Sequence, residues 1–393
     1  MKILWLYRVN ADLHSHITTW RETYNNLKKD HKIHYIFPVK KEKKGFCDNI
    51  TFLKLPAIPF VKRFTYILIS FIAFVKLNKK EKPDLVILDI WSYFFSFIYV
   101  FQKQRPKVIV DTRTAEYNNT VTNSSIANSF LRWLSKSMLL YNRKHHDGIT
   151  YISEALKKQF EEDFDIKPHP NYCVWPSGVD LEHFNPAASV TRRKDHPFRL
   201  FFHGSLNDNR GLAETIKAMA LLKKEGIETE FVTVGDGNYV NYLKELAKEE
   251  GVSGQVQFLP STSYKEIPPF IEEADLCMMA YPLIEYWEGN VPLKILEYMA
   301  MGKMVLCSGL RVFKNITEEK EFAVFIENNS PEEVAEGIKR AIAKKEDARQ
   351  LGATGREVVS RRFSWQSISN NLNRFIMQLH APSYKKESAK QPV

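Results

Sequence analysis

Gly289-Asn290-Val291-Pro292-Leu293-Lys294-Ile295-Leu296-Glu297-Tyr298-Met299-Ala300-Met301-Gly302-Lys303 is the stretch on which the fold reading turns. It reads as a polar, glycine-containing loop that opens into a helix, with Pro292 in the first turn, where a missing N–H costs nothing. Gly302 marks the helix end, and the apolar run Met304-Val305-Leu306 follows as a strand. A helix N-terminus presents free N–H groups and partial positive charge to an anion. Lys294 adds a cation there, and Glu297 can accept hydrogen bonds from hydroxyls. Phosphate beside hydroxyls is what a nucleotide-sugar offers. An ordinary loop–helix–strand unit without a ligand fits the same residues.

Outward from this stretch, short aliphatic runs alternate with helical patterns, the signature of a parallel sheet. In the first half, strands are expected at 3–7, 33–37, 85–88, 107–110 and 148–152, with helices at 18–28 and 129–141 among the segments between them. In the second half, strands are expected at 198–202, 230–234, 256–259, 276–280, 304–307 and 323–326. Helices fall at 211–224, 239–250 and 331–343. The polar stretch 181–197, with Pro186, Pro197 and the run Thr191-Arg192-Arg193-Lys194-Asp195, reads as a linker between domains 1–180 and 198–364. Two such halves would leave a ligand cleft at the carboxyl ends of their strands. Residues 381–393 read as a disordered tail.

The 393 residues suffice for two cores, and 44% hydrophobic with 13% aromatic residues excludes a disordered chain. Cys47, Cys173, Cys277 and Cys307 are scattered, which argues against a zinc site and for a reducing compartment. The N-terminal run ends at Arg8 without the long apolar region of a secretory signal, so a cytoplasmic location is expected.

The net charge of +10 points to anionic partners. Lys40, Lys41, Lys43 and Lys44 cluster early. Lys62 and Arg63 precede the apolar run 64–75, and Lys76, Lys79, Lys80 and Lys82 follow it. That run is too short to span a bilayer. It fits a helix lying on the inner face of the plasma membrane, or a core helix with solvated ends. Nucleic acid is not expected, because no recognition motif accompanies the charge.

The ordered series of motifs resembles glycosyltransferase family 4. It comprises Phe202-His203-Gly204-Ser205, Asn209-Arg210-Gly211-Leu212, Val234-Gly235-Asp236-Gly237, Val256-Gln257-Phe258-Leu259-Pro260, Ala274-Asp275-Leu276 and the opening stretch. Tyr151-Ile152-Ser153, Pro176-Ser177-Gly178-Val179-Asp180 and Phe363-Ser364-Trp365 are similar to it as well. The opening stretch is closest to a subgroup with the pattern Pro-x-Lys-x-x-Glu-Tyr-Met-Ala. The resemblance implies an α/β, GT-B fold: two Rossmann-like domains facing each other across a cleft, with a closing helix at 365–380 returning to the first domain. It implies a retaining, hexosyltransferase-like enzyme that moves sugar from a nucleotide-diphosphate donor to an acceptor hydroxyl. Cell-surface polysaccharide or glycolipid synthesis, with a lipid-linked acceptor, is the setting it implies. Neither a metal nor a cofactor is expected.

By the same resemblance, Glu297 binds the donor ribose, and Asn290, Val291, Pro292, Leu293 and Lys294 face the diphosphate. Arg210 neutralises the leaving group, bidentately as a guanidinium can, and Lys294 supplies a compensating contact to it. Gly204 lets the backbone approach the phosphates, Ser205 and Gly235 are counted with it in the donor site, and Phe258, Leu259 and Pro260 border the base. Three departures stand out. Gly289 occupies the place of a first glutamate, with Glu288 one residue off and Glu285 further away. Ser205 replaces a basic residue. The stretch Arg8 to His16 replaces a Gly-Gly loop.

The first half would hold the acceptor. His14 and His16 are expected on the loop after the first strand, and Asp111 just after the strand at 107–110. His16 and Asp111 are the candidates to orient the acceptor hydroxyl and take its proton. A GT-B nucleotide-sugar epimerase and a non-catalytic nucleotide-sugar-binding homologue remain as alternatives.

Overall fold

The computed structural model describes residues 1–7, 14–39, 47, 49–54, 59–113, 125–186, 196–289 and 291–381. The early lysine cluster, most of the loop replacing the Gly-Gly motif, the middle of the expected linker, Asn290 and nearly all of the tail lie outside the described residues. So do the side chains of His14 and His16. The chain divides into two compact units, Met1–Ser177 with Trp365–Val393, and Gly178–Ser364.

The first unit runs β1 (Lys2–Leu6), α1 (His14–Leu27), β2 (Lys32–Val39), β3 (Ile50–Lys54), α2 (Pro59–Glu81) and β4 (Leu85–Leu88). It continues with β5 (Lys107–Thr112), α3 (Ser125–His145), β6 (Gly148–Tyr151), α4 (Glu154–Phe164) and β7 (Tyr172–Val174). The strands form one sheet in the order β3-β2-β1-β4-β5-β6-β7, every neighbouring pair parallel. All four residues of β4 are buried, as a central parallel strand covered on both faces demands.

Helix α2 carries the expected apolar run with a buried stripe and an exposed one. Tyr66, Ser70, Phe74 and Leu77 are buried, while Leu68, Ile72, Lys76 and Lys79 point outward along the opposite stripe. Among the described residues no helix is long and apolar enough to cross a membrane.

The second unit runs β8 (Phe198–His203), α5 (Leu212–Lys224), β9 (Thr229–Val234), α6 (Val240–Glu249), β10 (Val256–Leu259), α7 (Ile267–Glu273) and β11 (Leu276–Met279). Then come α8 (Glu285–Gly289), α9 (Leu293–Ala300), β12 (Met304–Ser308), α10 (Arg311–Thr317), β13 (Ala323–Ile326), α11 (Pro331–Ala343) and α12 (Ala348–Phe363). Its sheet is again all parallel, in the order β10-β9-β8-β11-β12-β13. The strand order reverses between β8 and β11, and the crevice at such a switch point is where α/β sheets receive ligands. The start of the expected linker belongs to this unit's fold: Phe184 is fully buried, and Val179, just before the linker, bridges to Ser364. Helix α13 (Trp365–His380) packs against α1 and β7 of the first unit, where the Asn373 Oδ1 lies 2.6 Å from the His31 ring.

Candidate functional site

At the carboxyl end of β8 the chain turns through Gly204, whose φ of +106° only glycine adopts freely. A Cβ there would lie 2.8 Å from both Cε and Nζ of Lys294, so the lysine ammonium sits directly over the Gly204 backbone. Helix α9 brings Lys294 to this place from between β11 and β12. Pro292 is not in its first turn, as the sequence reading had it. It occupies the position just before the helix, with extended ψ of 127°, because a proline in the N-cap place fixes φ without continuing the helix.

Lys294 makes no ion pair among the described residues. Burial, then the nearby Arg210 charge, bring its pKa down to about 7 against a partial pull upward from Glu297. Part of its surface nevertheless stays open to solvent, as at the bottom of a recess. Arg210 follows β8 on a short turn. Among the described residues it has no carboxylate partner either, and its Nε is buried without a hydrogen bond. Its guanidinium lies 4.5 Å from the Trp287 ring centroid and 5.3 Å from that of Tyr281, and donates to the Tyr281 hydroxyl at 3.3 Å. Two neighbouring cations without an anion are costly unless an anion is supplied.

Glu297, one turn beyond Lys294, is 7% exposed and pairs with His203 through Nε2–Oε2 at 2.8 Å. The Tyr298 hydroxyl lies 3.1 Å from His203 Nδ1 and accepts the His203 backbone N–H at 3.3 Å. A neutral imidazole satisfies the whole chain: Nε2–H donates to the carboxylate and the tyrosine hydroxyl donates to Nδ1. This fixes Oε2 of Glu297. The pairing of His203 with Glu297 was missed in the sequence, although His203 stands inside a quoted motif.

The other sequence candidates fall nearby or apart. Val291, Pro292 and Leu293 lead into α9 and remain partly exposed, and Ser205 is exposed. Gly204 and Gly235 end adjacent strands, extending the ladder through Gly204 N to Val234 O at 2.8 Å and Gly235 N to Leu259 O at 3.0 Å. Phe258, Leu259 and Pro260 border the end of β10 and are open to solvent to differing degrees. Glu288 does not stand free in place of the missing glutamate. Its carboxylate accepts the Arg311 backbone N–H at 3.0 Å and pairs with that side chain at 3.5 Å.

In the first unit, His14 and His16 lie in the opening turn of α1, not on a loop, because α1 begins earlier than the apolar periodicity showed. Asp111 lies within β5, not after it, and is 1% exposed. Thr150 donates to its Oδ1 at 2.7 Å, and its Oδ2 has no partner among the described residues. Burial raises its pKa to about 6, with Arg113 and the Thr150 bond opposing and Asp89 assisting. Arg113, also buried, donates to Trp175 O at 2.6 Å and Ser177 Oγ at 2.9 Å and stacks on the Trp175 ring at 4.4 Å.

Two family profiles match in succession: Glycosyltransferase Family 4 over residues 18–183 and Glycosyl transferases group 1 over residues 187–358. The chain belongs to glycosyltransferase family 4. Curated relatives include a GDP-mannose-dependent alpha-(1-6)-phosphatidylinositol monomannoside mannosyltransferase of Mycobacterium tuberculosis. It is 23% identical over 240 residues, 58% of this chain and 61% of that protein. A GDP-mannose-dependent monoacylated alpha-(1-6)-phosphatidylinositol monomannoside mannosyltransferase of Corynebacterium glutamicum is 26% identical over 242 residues, 58% of this chain and 62% of the relative. The chain thus spans about three-fifths of the length of these relatives.

Among solved structures, sucrose-phosphate synthase of Thermosynechococcus elongatus superposes with a TM-score of 0.75 at 17% identity, covering 97% of this chain and all of that one. HepE of Anabaena in complex with UDP gives 0.71 at 15% identity, over 96% of this chain and all of HepE. The family 4 chain therefore has the GT-B type of fold, built from two parallel-sheet, Rossmann-like units.

Proposed function

We propose that this chain transfers a glycosyl unit from a nucleotide-diphosphate sugar to an acceptor hydroxyl, with retention at the anomeric carbon. The observation that carries the reading is the unpaired cation pair, Lys294 and Arg210, at the switch point of the second sheet, beside a carboxylate held by His203. The donor diphosphate supplies the missing anion, and Glu297 Oε1 takes the ribose hydroxyls. As the glycosidic bond breaks, charge grows on the departing diphosphate. The guanidinium and the ammonium stabilise it where it forms, which is what lowers the barrier. GDP-mannose and UDP-glucose are the first donors to test, since relatives use the one and a structural neighbour binds the nucleotide of the other. The correct donor should raise the melting temperature by mass action, and Glu297→Ala should abolish that rise. No shift with any nucleotide-sugar would overturn the reading.

The acceptor is proposed to be lipid-linked, with the first unit resting on an anionic membrane surface. The outward stripe of α2 continues onto the helical turn Tyr93–Tyr99, since Phe71 stacks on Phe97 at 5.7 Å. Phe101 beyond it is 96% exposed, and Trp133 and Leu140 stand out from α3. Exposed apolar side chains gathered on one unit mark interaction surfaces when they are contiguous. No acidic residue occurs in 59–80, 93–107 or 125–145, whereas Lys76, Lys79, Lys80, Lys103, Arg143 and Lys144 do. Apolar side chains rimmed by cations fit a headgroup boundary. Co-sedimentation with phosphatidylglycerol vesicles, but not with phosphatidylcholine vesicles, is the expected result, lost in Phe101→Asp/Trp133→Glu. Dimerisation without vesicle binding would assign the face to a second copy instead.

A further inference from the structure

The arginine assigned to the leaving group is held by an aromatic clamp. Trp287 lies on α8, and two features tie it to the Arg210 turn. Its ring centroid is 4.5 Å from the Arg210 Cζ, and its indole N–H donates to the Asn209 carbonyl at 3.2 Å. The same indole packs on Tyr281 at 4.6 Å, and Tyr281 closes the clamp by accepting from the Arg210 Nη1. Trp287 is 4% exposed and Tyr281 fully buried. The turn itself is seated on the end of β11. Gly211, at φ +70°, approaches the Ala280 carbonyl so closely that a Cβ would lie 1.7 Å from its oxygen.

We propose that Trp287 is a positioning residue: it fixes the plane and reach of the Arg210 guanidinium toward the donor diphosphate. An arginine without a carboxylate partner has many rotamers, and holding one of them costs side-chain entropy. Stacking on an indole face supplies that restraint without neutralising the charge, since cation–π attraction leaves the N–H fork free. A carboxylate in the place of Trp287 would fix the arginine equally well and compete with the diphosphate for it. Helix α8 also precedes the loop into α9, so the segment carrying the clamp is continuous with the segment carrying Lys294.

The inference rests on the transferase reading of the site. Its test is a double-mutant cycle in the full chain, once a donor has been found by thermal shift. Trp287→Leu should lower kcat about tenfold to thirtyfold and change the donor KM less than threefold, as the loss of cation–π restraint implies. Trp287→Phe, which keeps a ring and loses the N–H, should recover most of that loss. In an Arg210→Ala background, Trp287→Leu should have no further effect, because its action runs through the arginine. A full additive loss in that background would overturn the proposal, and so would unchanged kcat in Trp287→Leu. Loss of cooperative unfolding in Trp287→Leu would move the decision to Trp287→Phe: wild-type additivity there rejects the role, and dependence on Arg210 upholds it. Absence of turnover in the wild type with every donor would sink the transferase reading, and with it the proposal.

Discussion

Each unit carries an arginine stacked on a tryptophan just past the carboxyl end of a strand, at nearly the same distance. Arg113 lies 4.4 Å from Trp175 and Arg210 lies 4.5 Å from Trp287. Their hydrogen bonds separate them. Arg113 spends both terminal nitrogens on the Trp175 carbonyl and the Ser177 hydroxyl, and so ties β5 to the segment after β7. Arg210 donates once to a tyrosine hydroxyl, and its Nε is left without a partner among the described residues. A cation whose two terminal nitrogens are both engaged within the protein holds the fold together. On the proposed function, the terminal donors that Arg210 does not spend on Tyr281 are available to an anion from outside.

Replacing each arginine by alanine is the strongest way to break that contrast. Arg210→Ala should lower kcat by about 100-fold to 1,000-fold, the usual cost of removing one oxyanion-type donor. Its unfolding free energy should stay within about 1 kcal/mol of wild type. Arg113→Ala should destabilise the first unit by about 3 kcal/mol in urea titration, through two lost charge-assisted bonds and an unpartnered carbonyl. Equal stability losses in the two variants would erase the distinction.

Lys294 sharpens the comparison through pH. Its folded pKa of about 7 lies below the unfolded value of 10.5, so the unfolded chain binds more protons between those limits. Ligand-free stability should therefore rise as pH increases from about 7 to 10. A bound diphosphate reverses the preference and recharges the lysine, so donor binding takes up a proton above pH 7. Affinity for a nucleotide-sugar, whose own diphosphate does not titrate there, should fall toward tenfold per pH unit above 7. Titration calorimetry in buffers of differing ionisation enthalpy reads the proton directly, and Lys294→Arg should flatten the profile. A pH-independent affinity in the wild type would remove Lys294 from the anion's contact.

The sequence exposed the second unit more fully than the first. Strands β10 and β13 and helix α11 match their expected boundaries. Helix α11 does so because Ser330 caps it and Pro331 opens it, both local signals. Lys294, Glu297 and Gly204 could be chosen because a loop–helix motif concentrates them in a short window. The His203–Glu297 bond could not, since 94 residues separate its members and only the sheet order brings β8 beside α9. Trp287 sits on a five-residue helix too short for any periodicity. Strands β3 and β7 lie at the sheet edges and are brief, and α1 opens with no acidic residue in its first turn to announce it.

Asp111 offers the gentlest test, because it asks whether the first unit also holds a group against its own stability. The residue is buried, accepts one bond from Thr150, and leaves Oδ2 without a partner among the described residues, while Arg113 offsets only part of the burial. A carboxyl raised from 3.8 to about 6 favours the protonated form in the fold. Its stabilising contribution is complete below pH 4 and is lost as pH rises through 6. Asp111→Asn keeps an acceptor for Thr150 and removes the buried charge. It should raise stability by about 2 kcal/mol at pH 7, and that advantage should shrink to nothing by pH 4. A constant advantage across the range would trace the effect to packing. No advantage at pH 7 would mean that the nearby Arg113 charge compensates the buried carboxylate fully.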